Sequence, residues 1–109
     1  MIQLTPEVRQ CDQTSLECYR VCLETLNYSL QKGGRFAEAG PIRMLLDCAD
    51  ICQANANLMS RGSKYNLCET CARVCQECAQ ACERFGDDAQ MKACAEACRR
   101  CATACQRMG

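Results

Sequence analysis

Cysteines recur in the second half of the chain at intervals of three and four residues. The segment CETCARVCQECAQAC, from Cys68 to Cys82, carries five of them, and the spacing resumes from Cys94 to Cys105. Residues three and four apart lie on one face of an α-helix, where a buried seam of leucines is usual. A core made only for stability would not place thiols there, because a thiol buries less apolar area than a leucine. Rows of soft thiols instead predict an interior that binds metal.

Four helices must hold these rows in place. Thr5 and Pro6 form a helix start, with the proline at the first helical position, and Gly33, Gly62 and Gly86 are typical of helix ends. We expect helices over about 5–32, 41–61, 65–85 and 88–107. The connections are short and strand signals are missing. The sequence therefore predicts one all-α domain over 1–109, an antiparallel up-down-up-down four-helix bundle with a Cys-lined core.

The first two helices carry thiols on seams of the same kind. The seam of the first helix also contains Ser15, Thr25 and Ser29, and Asn55 and Met59 continue the seam of the second. We expect all fourteen cysteines to face the bundle axis as candidate metal ligands. They are Cys11, Cys18, Cys22, Cys48, Cys52, Cys68, Cys71, Cys75, Cys78, Cys82, Cys94, Cys98, Cys101 and Cys105.

The overall composition excludes several functions. Thirteen basic residues balance thirteen acidic ones, which gives no reason to expect nucleic acid or an anionic membrane as a partner. Histidine is absent, so a histidine base or ligand is excluded, and no phosphate-binding loop is present; we expect no enzyme. The N-terminal MIQLTPEVRQ lacks the pattern of a signal peptide, and no apolar run could span a membrane. These features predict a cytoplasmic protein with reduced thiols.

The arrangement of the cysteines favours Cu(I) among the thiophilic metals. Zinc sites usually use Cys-x2-Cys turns, and iron–sulfur clusters use loop motifs that end in Cys-Pro. Here Cys-x2-Cys lies inside continuous helices, and no cysteine precedes a proline. Cu(I) accepts two or three sulfur ligands, so thiolates on facing helices can bridge between ions. If every ion takes two sulfurs and every sulfur serves two ions, the capacity is about 14 Cu(I) ions per chain.

Two other functions stay open at the level of the residues. One is a thiol-rich buffer for zinc or other soft metal ions. The other is a redox or structural bundle whose thiols form disulfides. Cys-x3-Cys places two thiols one helical turn apart, which is awkward for a bridge within a straight helix, whereas bridges between helices are feasible.

Two long segments resemble those of a known family. IRMLLDCADICQANANLMSRGS and CERFGDDAQMKACAEACRRCATAC are similar to hallmark segments of the bacterial copper storage proteins, in particular of their cytosolic branch. The resemblance extends over nearly the whole chain. It implies a bundle filled with Cu(I), a role in copper storage or detoxification, and the fourteen cysteines as ligands. It also implies a homotetramer, and a copper chaperone is a further expected partner.

The chain departs from this family at the helix starts. Cytosolic members often carry histidines around the starts of the second and fourth helices, and more cysteines, but the corresponding segments EAGPIRM and DDAQM contain no histidine. We therefore expect a lower capacity. We hypothesise that Met44 and Met91, which an antiparallel bundle places at the same end, form a thioether entrance that passes Cu(I) on to thiolates. The alternative is that both methionines only fill gaps in the core.

Overall fold

The computed structural model describes residues 5–108, and the regular structure of these residues is entirely helical. One connection contains a 3₁₀ turn over Gly34–Ala37. The four long helices are α1, Pro6–Lys32; α2, Ala39–Ser60; α3, Cys68–Glu83; and α4, Ala89–Met108. The predicted domain bounds at 1 and 109 lie outside the described residues. So do the first four residues of the N-terminal segment that we expected to lack a signal peptide.

Contacts between the helices confirm the predicted antiparallel bundle. Each helix packs against two others, α1 against α2 and α4, and α3 against α2 and α4. Sulfur–sulfur contacts fix the directions at Cys11–Cys105, Cys22–Cys94, Cys48–Cys75 and Cys52–Cys71. In each pair of helices the residue numbers of the contacting cysteines rise along one helix and fall along the other, so the two helices are antiparallel. The result is a rod of 46 × 19 × 17 Å, and none of the helices within 5–108 combines the length and apolar character that a membrane crossing requires.

The ends of α1 follow the sequence signals. The Thr5 hydroxyl accepts a hydrogen bond from the Val8 backbone N–H at 3.3 Å, and Pro6 occupies the first turn. At the other end Gly33 adopts φ 72°, a left-handed conformation that favours glycine, and its N–H donates to the Ser29 carbonyl at 3.0 Å. These contacts stop α1 where the chain must turn back.

The helix α3 begins three residues later than the predicted start at 65. Side chains compete for the backbone N–H groups before it: the Ser63 hydroxyl accepts from Tyr65 N–H at 3.1 Å, and the Asn66 amide oxygen accepts from Cys68 N–H at 3.0 Å. The Leu67 N–H donates to the Asn55 side chain at 3.0 Å. Such local side-chain bonds offer the backbone an alternative to the helix, so Cys68 becomes the first helical residue.

The core contains few large aliphatic side chains. Its largest fully buried apolar side chains outside the cysteines are Leu45, Met59 and Met91, and most of the other buried positions on α3 and α4 are cysteine or alanine. Alanine and cysteine bury little apolar area, so the free energy of burial per residue is small. The thiols therefore make up much of the space between the helices.

Candidate metal centre

All fourteen predicted ligands lie inside the bundle. None of the cysteines is more than 3% exposed, and most are fully buried. All are free thiols. The spacing of three and four residues thus turned each row towards the axis, as predicted, and the four rows meet there.

The thiols form overlapping groups along the axis of the bundle. Within residues 5–108, five groups have all their sulfur atoms within 4.8 Å of one another. From the end where α3 begins, they are Cys11–Cys68–Cys105, Cys71–Cys101–Cys105, Cys18–Cys52–Cys75–Cys101, Cys18–Cys22–Cys48–Cys98 and Cys22–Cys78–Cys94–Cys98. Each group shares at least one cysteine with the next. We call this continuous series the thiol column; Cys82 lies beyond its last group, near Cys78.

Distances between neighbouring sulfurs suit ions held between them. The Sγ atoms of Cys11 and Cys105 are 3.5 Å apart, as are those of Cys52 and Cys75. Other contacts in the column run up to 4.0 Å. A metal–thiolate bond of about 2.3 Å lets one ion reach two sulfurs up to roughly 4.6 Å apart. Neighbouring thiols can therefore share an ion after only small movements.

Mutual hydrogen bonds and burial shift the pKa values of these thiols. Hydrogen bonds with Cys18 and Cys22, followed by burial, raise the pKa of Cys98. At the end of the column, hydrogen bonds with Cys105 and Cys11, aided by the Asn55 amide, lower the pKa of Cys68. A raised pKa keeps a buried thiol protonated and neutral at neutral pH. A metal ion that binds such a thiol must displace its proton.

Asn55, which the sequence places on the seam of α2 without assigning it a role, contacts the sulfurs at the end of the column. It is fully buried at the end of the column, and its amide nitrogen lies 3.5 Å from Cys11 Sγ and 3.7 Å from Cys105 Sγ. Its amide oxygen accepts from Leu67 N–H at 3.0 Å, so the NH₂ group is turned towards the sulfurs. An asparagine at a seam position was the available signal, but its partner at Leu67 depends on how the helices pack.

The hydroxyl residues of the α1 seam are also buried, each with a different partner. Ser15 Oγ lies 3.6 Å from Cys101 Sγ, so this side chain borders the column. Thr25 donates to the carbonyl of Val21 at 2.7 Å. Ser29 donates to the sulfur of Met91 at 3.9 Å, beyond the last thiols.

Met44 and Met91 line the same narrow cavity at the other end of the column. Cys78 and Cys82 line it as well, and it has no room for a water molecule. Met91 is fully buried and Met44 is half-buried. Phe85 forms part of the wall and stacks on Phe36 of the 3₁₀ turn, with ring centroids 4.5 Å apart. The two thioethers, the two thiols and the Phe85 ring therefore share one narrow cavity at this end of the bundle.

Fold and column together define a cysteine-lined, metal-binding helical bundle. A family profile described as copper storage protein matches residues 4–109, and the chain belongs to this family. No curated protein matches the chain.

Solved structures agree with this assignment. A protein from Nitrosospira multiformis is 36% identical, with 94% of each chain covered and a TM-score of 0.88. A Cu(I)-bound copper storage protein is 29% identical over 94% of this chain and 97% of its own, with a TM-score of 0.87. A cytosolic copper storage protein from Streptomyces lividans, in a structure with five coppers, is 31% identical over 94% of this chain and 91% of its own, with a TM-score of 0.80.

Proposed function

We propose that this chain stores Cu(I) on the thiolates of all fourteen cysteines, with a capacity of about 14 ions. The observation that carries the proposal is the unbroken thiol column, in which each group shares a sulfur with the next, together with Cys82 beside Cys78 at its end. Storage of many ions is also in keeping with the relative from Streptomyces lividans, which has structures with five coppers and with 10 copper equivalents. Binding replaces thiol protons with metal, which makes the buried thiolates tolerable.

The overlap between groups favours Cu(I) over zinc. Three of the groups have four thiols, the number that a closed tetrahedral zinc site takes. The group Cys18–Cys22–Cys48–Cys98 shares members with both of the others, so only two closed four-thiol sites can be filled at once. Cu(I) needs fewer sulfurs and tolerates bridging ones. A zinc buffer would thus leave many buried thiols unused.

The wider setting follows from the family and the surface. We place the protein in the cytoplasm, as its Streptomyces lividans relative is cytosolic. We also propose that it is not an enzyme, because its family is one of storage.

A homotetramer is supported by three exposed leucines of α1. Leu16, Leu23 and Leu30 lie seven residues apart and are 40%, 37% and 55% exposed. This spacing is typical of a helix seam that packs on another helix. A copper chaperone would deliver the ions.

Uptake begins at Met44 and Met91 in this proposal. Both thioethers border the cavity that leads to Cys78 and Cys82. A thioether is a soft neutral ligand that binds Cu(I) without losing a proton, so it can pass the ion on to a thiolate.

An anaerobic titration tests storage against the alternatives. The reduced protein is titrated with Cu(I) and then challenged with a chromophoric Cu(I) chelator. Retention of about ten or more ions per chain supports storage, whereas saturation at about two to four would favour discrete sites of the zinc type. A parallel titration with zinc should saturate at the lower number. Negligible binding of both metals, with ready formation of disulfides in air, would favour the redox bundle.

A further inference from the structure

A surface groove reaches the thiol column at the end opposite Met44 and Met91. It lies between α3 and α4 and has a volume of about 490 Å³. Glu69, Gln76 and Gln106 contribute to its walls, and Cys68 and Cys105 also line it. Both thiols are almost completely buried, at 3% and 1% exposure, so they form the floor of the groove.

The floor belongs to the first group of the column. Cys68 and Cys105 lie with Cys11 in a group of three sulfurs within 4.8 Å, and Cys105 is shared with the next group inwards. Met108 lines the same groove, is half-buried and packs against the core. The groove thus leads from a thioether at the surface to a thiol that is continuous with the interior.

The opposite end of the bundle is built differently. A groove of about 560 Å³ lies outside Met44 and Phe85, with Gln80 in its wall, and no thiol is among the described residues that line it. Cys78 and Cys82 lie behind it, along the narrow cavity that has no room for water. An external ligand therefore meets a thioether but no thiol in the groove at this end, whereas in the groove between α3 and α4 it meets two thiols beside the thioether of Met108.

We propose, as an extension of the storage function, that the groove between α3 and α4 is a second opening, where Cu(I) passes directly between Cys68 and Cys105 and a small thiol ligand. In the release direction, the external thiolate bonds to a Cu(I) ion held by both cysteines. The bond from copper to Cys68 then breaks, Cys68 keeps the electron pair and takes a proton from water, and a second external thiolate replaces Cys105 in the same way. Copper remains Cu(I) throughout, so no oxidant or reductant is needed.

Filling the groove without touching a ligand tests the second opening. Gln106→Trp and Gln76→Trp place an indole over the floor, and Gln80→Trp places one in the groove beside Met44 as the matched control. Each variant is first loaded with Cu(I) to confirm an unchanged capacity. Transfer from the loaded protein to a chromophoric Cu(I) chelator is then timed with and without glutathione as the small thiol.

The glutathione-dependent rate should fall by about tenfold in Gln106→Trp and Gln76→Trp, and should change little in Gln80→Trp. Equal rates in all variants, or a loss confined to Gln80→Trp, would overturn the second opening while leaving storage intact. If the unaltered protein retained few Cu(I) ions, that result would instead contradict storage itself.

Brief alkylation of the metal-free protein gives a second measurement that needs no variant. Iodoacetamide followed by peptide mapping should find Cys68 and Cys105 modified before Cys75 and Cys98, which lie in the middle of the column. Uniform modification of all four would show that the groove gives no preferential access, and would also overturn the proposal.

Discussion

Ser15 occupies a position in the column where a further thiol would have sulfur neighbours. Its side chain is fully buried, and its oxygen is 3.6 Å from Cys101 Sγ and 3.5 Å from the Asn55 amide nitrogen. A hydroxyl is a poor ligand for Cu(I), which prefers sulfur. This single atom therefore limits how densely copper can fill the column.

We expect Ser15→Cys to raise the retained Cu(I) by about one ion per chain, because the new thiol can bridge to an ion on Cys101. Thr103→Cys, on the exposed face of α4, is the matched control and should add no ion that resists the chelator. The count is made by titration followed by chelator competition. Equal gains in both variants would mean that the position of the thiol does not matter.

We expect Met44 and Met91 to affect the rate of Cu(I) uptake and not the number of ions bound. Replacing Met44 and Met91 together with leucine preserves volume but removes both thioethers, so Cu(I) uptake should slow by about tenfold while the final ion count stays the same. Met59→Leu, in the core away from this cavity, is the control. Stopped-flow absorbance of the thiolate–copper bands measures the rate, and an unchanged rate in the double variant would leave the methionines as packing residues.

Single residues also show where sequence reasoning stops. Spacing alone was enough to turn the cysteines inwards, because a helix repeats every three to four residues. It could not orient the Asn55 amide, since the oxygen is held by the Leu67 N–H across a turn between two helices. The same holds for the groups of the column, which mix sulfurs from different helices.

At the scale of the helices, the start of α4 depends on one carboxylate. Asp88 accepts a hydrogen bond from the Met91 N–H at 3.0 Å, as a capping residue does, and another from the Tyr28 hydroxyl of α1 at 2.5 Å. Lys32 Nζ lies 3.7 Å from the same side chain. The Tyr28 hydrogen bond, with the Met91 N–H and Lys32, lowers the pKa of Asp88 below its usual 3.8.

This lowered pKa fixes the pH dependence of the contribution of Asp88 to stability. The contribution is fully present above the unfolded pKa of 3.8 and is lost as the pH falls through the lower folded value. Asp88→Ala should cost about 1 kcal/mol at neutral pH, and the difference from the unaltered protein should shrink below pH 3.8. Thermal unfolding of the metal-free protein at several pH values measures this. Asp87→Ala, at an exposed position, should have little effect at any pH.

We expect the exposed leucines of α1 to form the interface of the proposed tetramer. Leu23→Lys places a charge in the middle of the apolar seam, so a tetramer that buries this seam should dissociate. Gln31→Lys, on another exposed face of α1, adds the same charge and should leave the assembly intact. Sedimentation velocity distinguishes the two, and an unaltered sedimentation coefficient for Leu23→Lys would move the interface elsewhere.

The helix boundaries show how far local sequence signals reach. The cap at Thr5 and the glycine after α1 were sufficient to predict that helix, because both act within a few residues. The start of α3 was predicted too early, since Ser63 and Asn66 bond to nearby backbone in place of a helical turn. The 3₁₀ turn that carries Phe36 was not foreseen, because its packing on Phe85 is a contact between distant segments.

At the scale of the whole molecule, the core of the bundle contains few large hydrocarbon side chains. Alanine and cysteine fill most buried positions of α3 and α4, so apolar burial contributes less than in a leucine-rich bundle. Metal ions that bridge the helices would add bonds that the unfolded chain cannot form in the same arrangement.

We therefore expect Cu(I) loading to raise the midpoint of thermal unfolding by ten degrees or more, on the order of 2–4 kcal/mol for a domain of this size. The comparison is made between the metal-free reduced protein and samples with increasing Cu(I), under anaerobic conditions. A midpoint that rises in step with the number of ions supports bridging between helices. An unchanged midpoint at full loading would mean that copper adds nothing to the fold.

The balance of charge determines which properties distinguish the copper-loaded molecule from the empty one. The side chains carry no formal net charge, and the thiols are buried. A departing proton and an arriving Cu(I) ion carry the same charge, so a column with one ion per cysteine is as neutral as an empty one. Filling at that ratio would add mass but leave the isoelectric point and the electrostatic field around the molecule unaltered. A cellular component that tells full from empty must therefore sense rigidity, or probe the two ends where the interior meets the solvent.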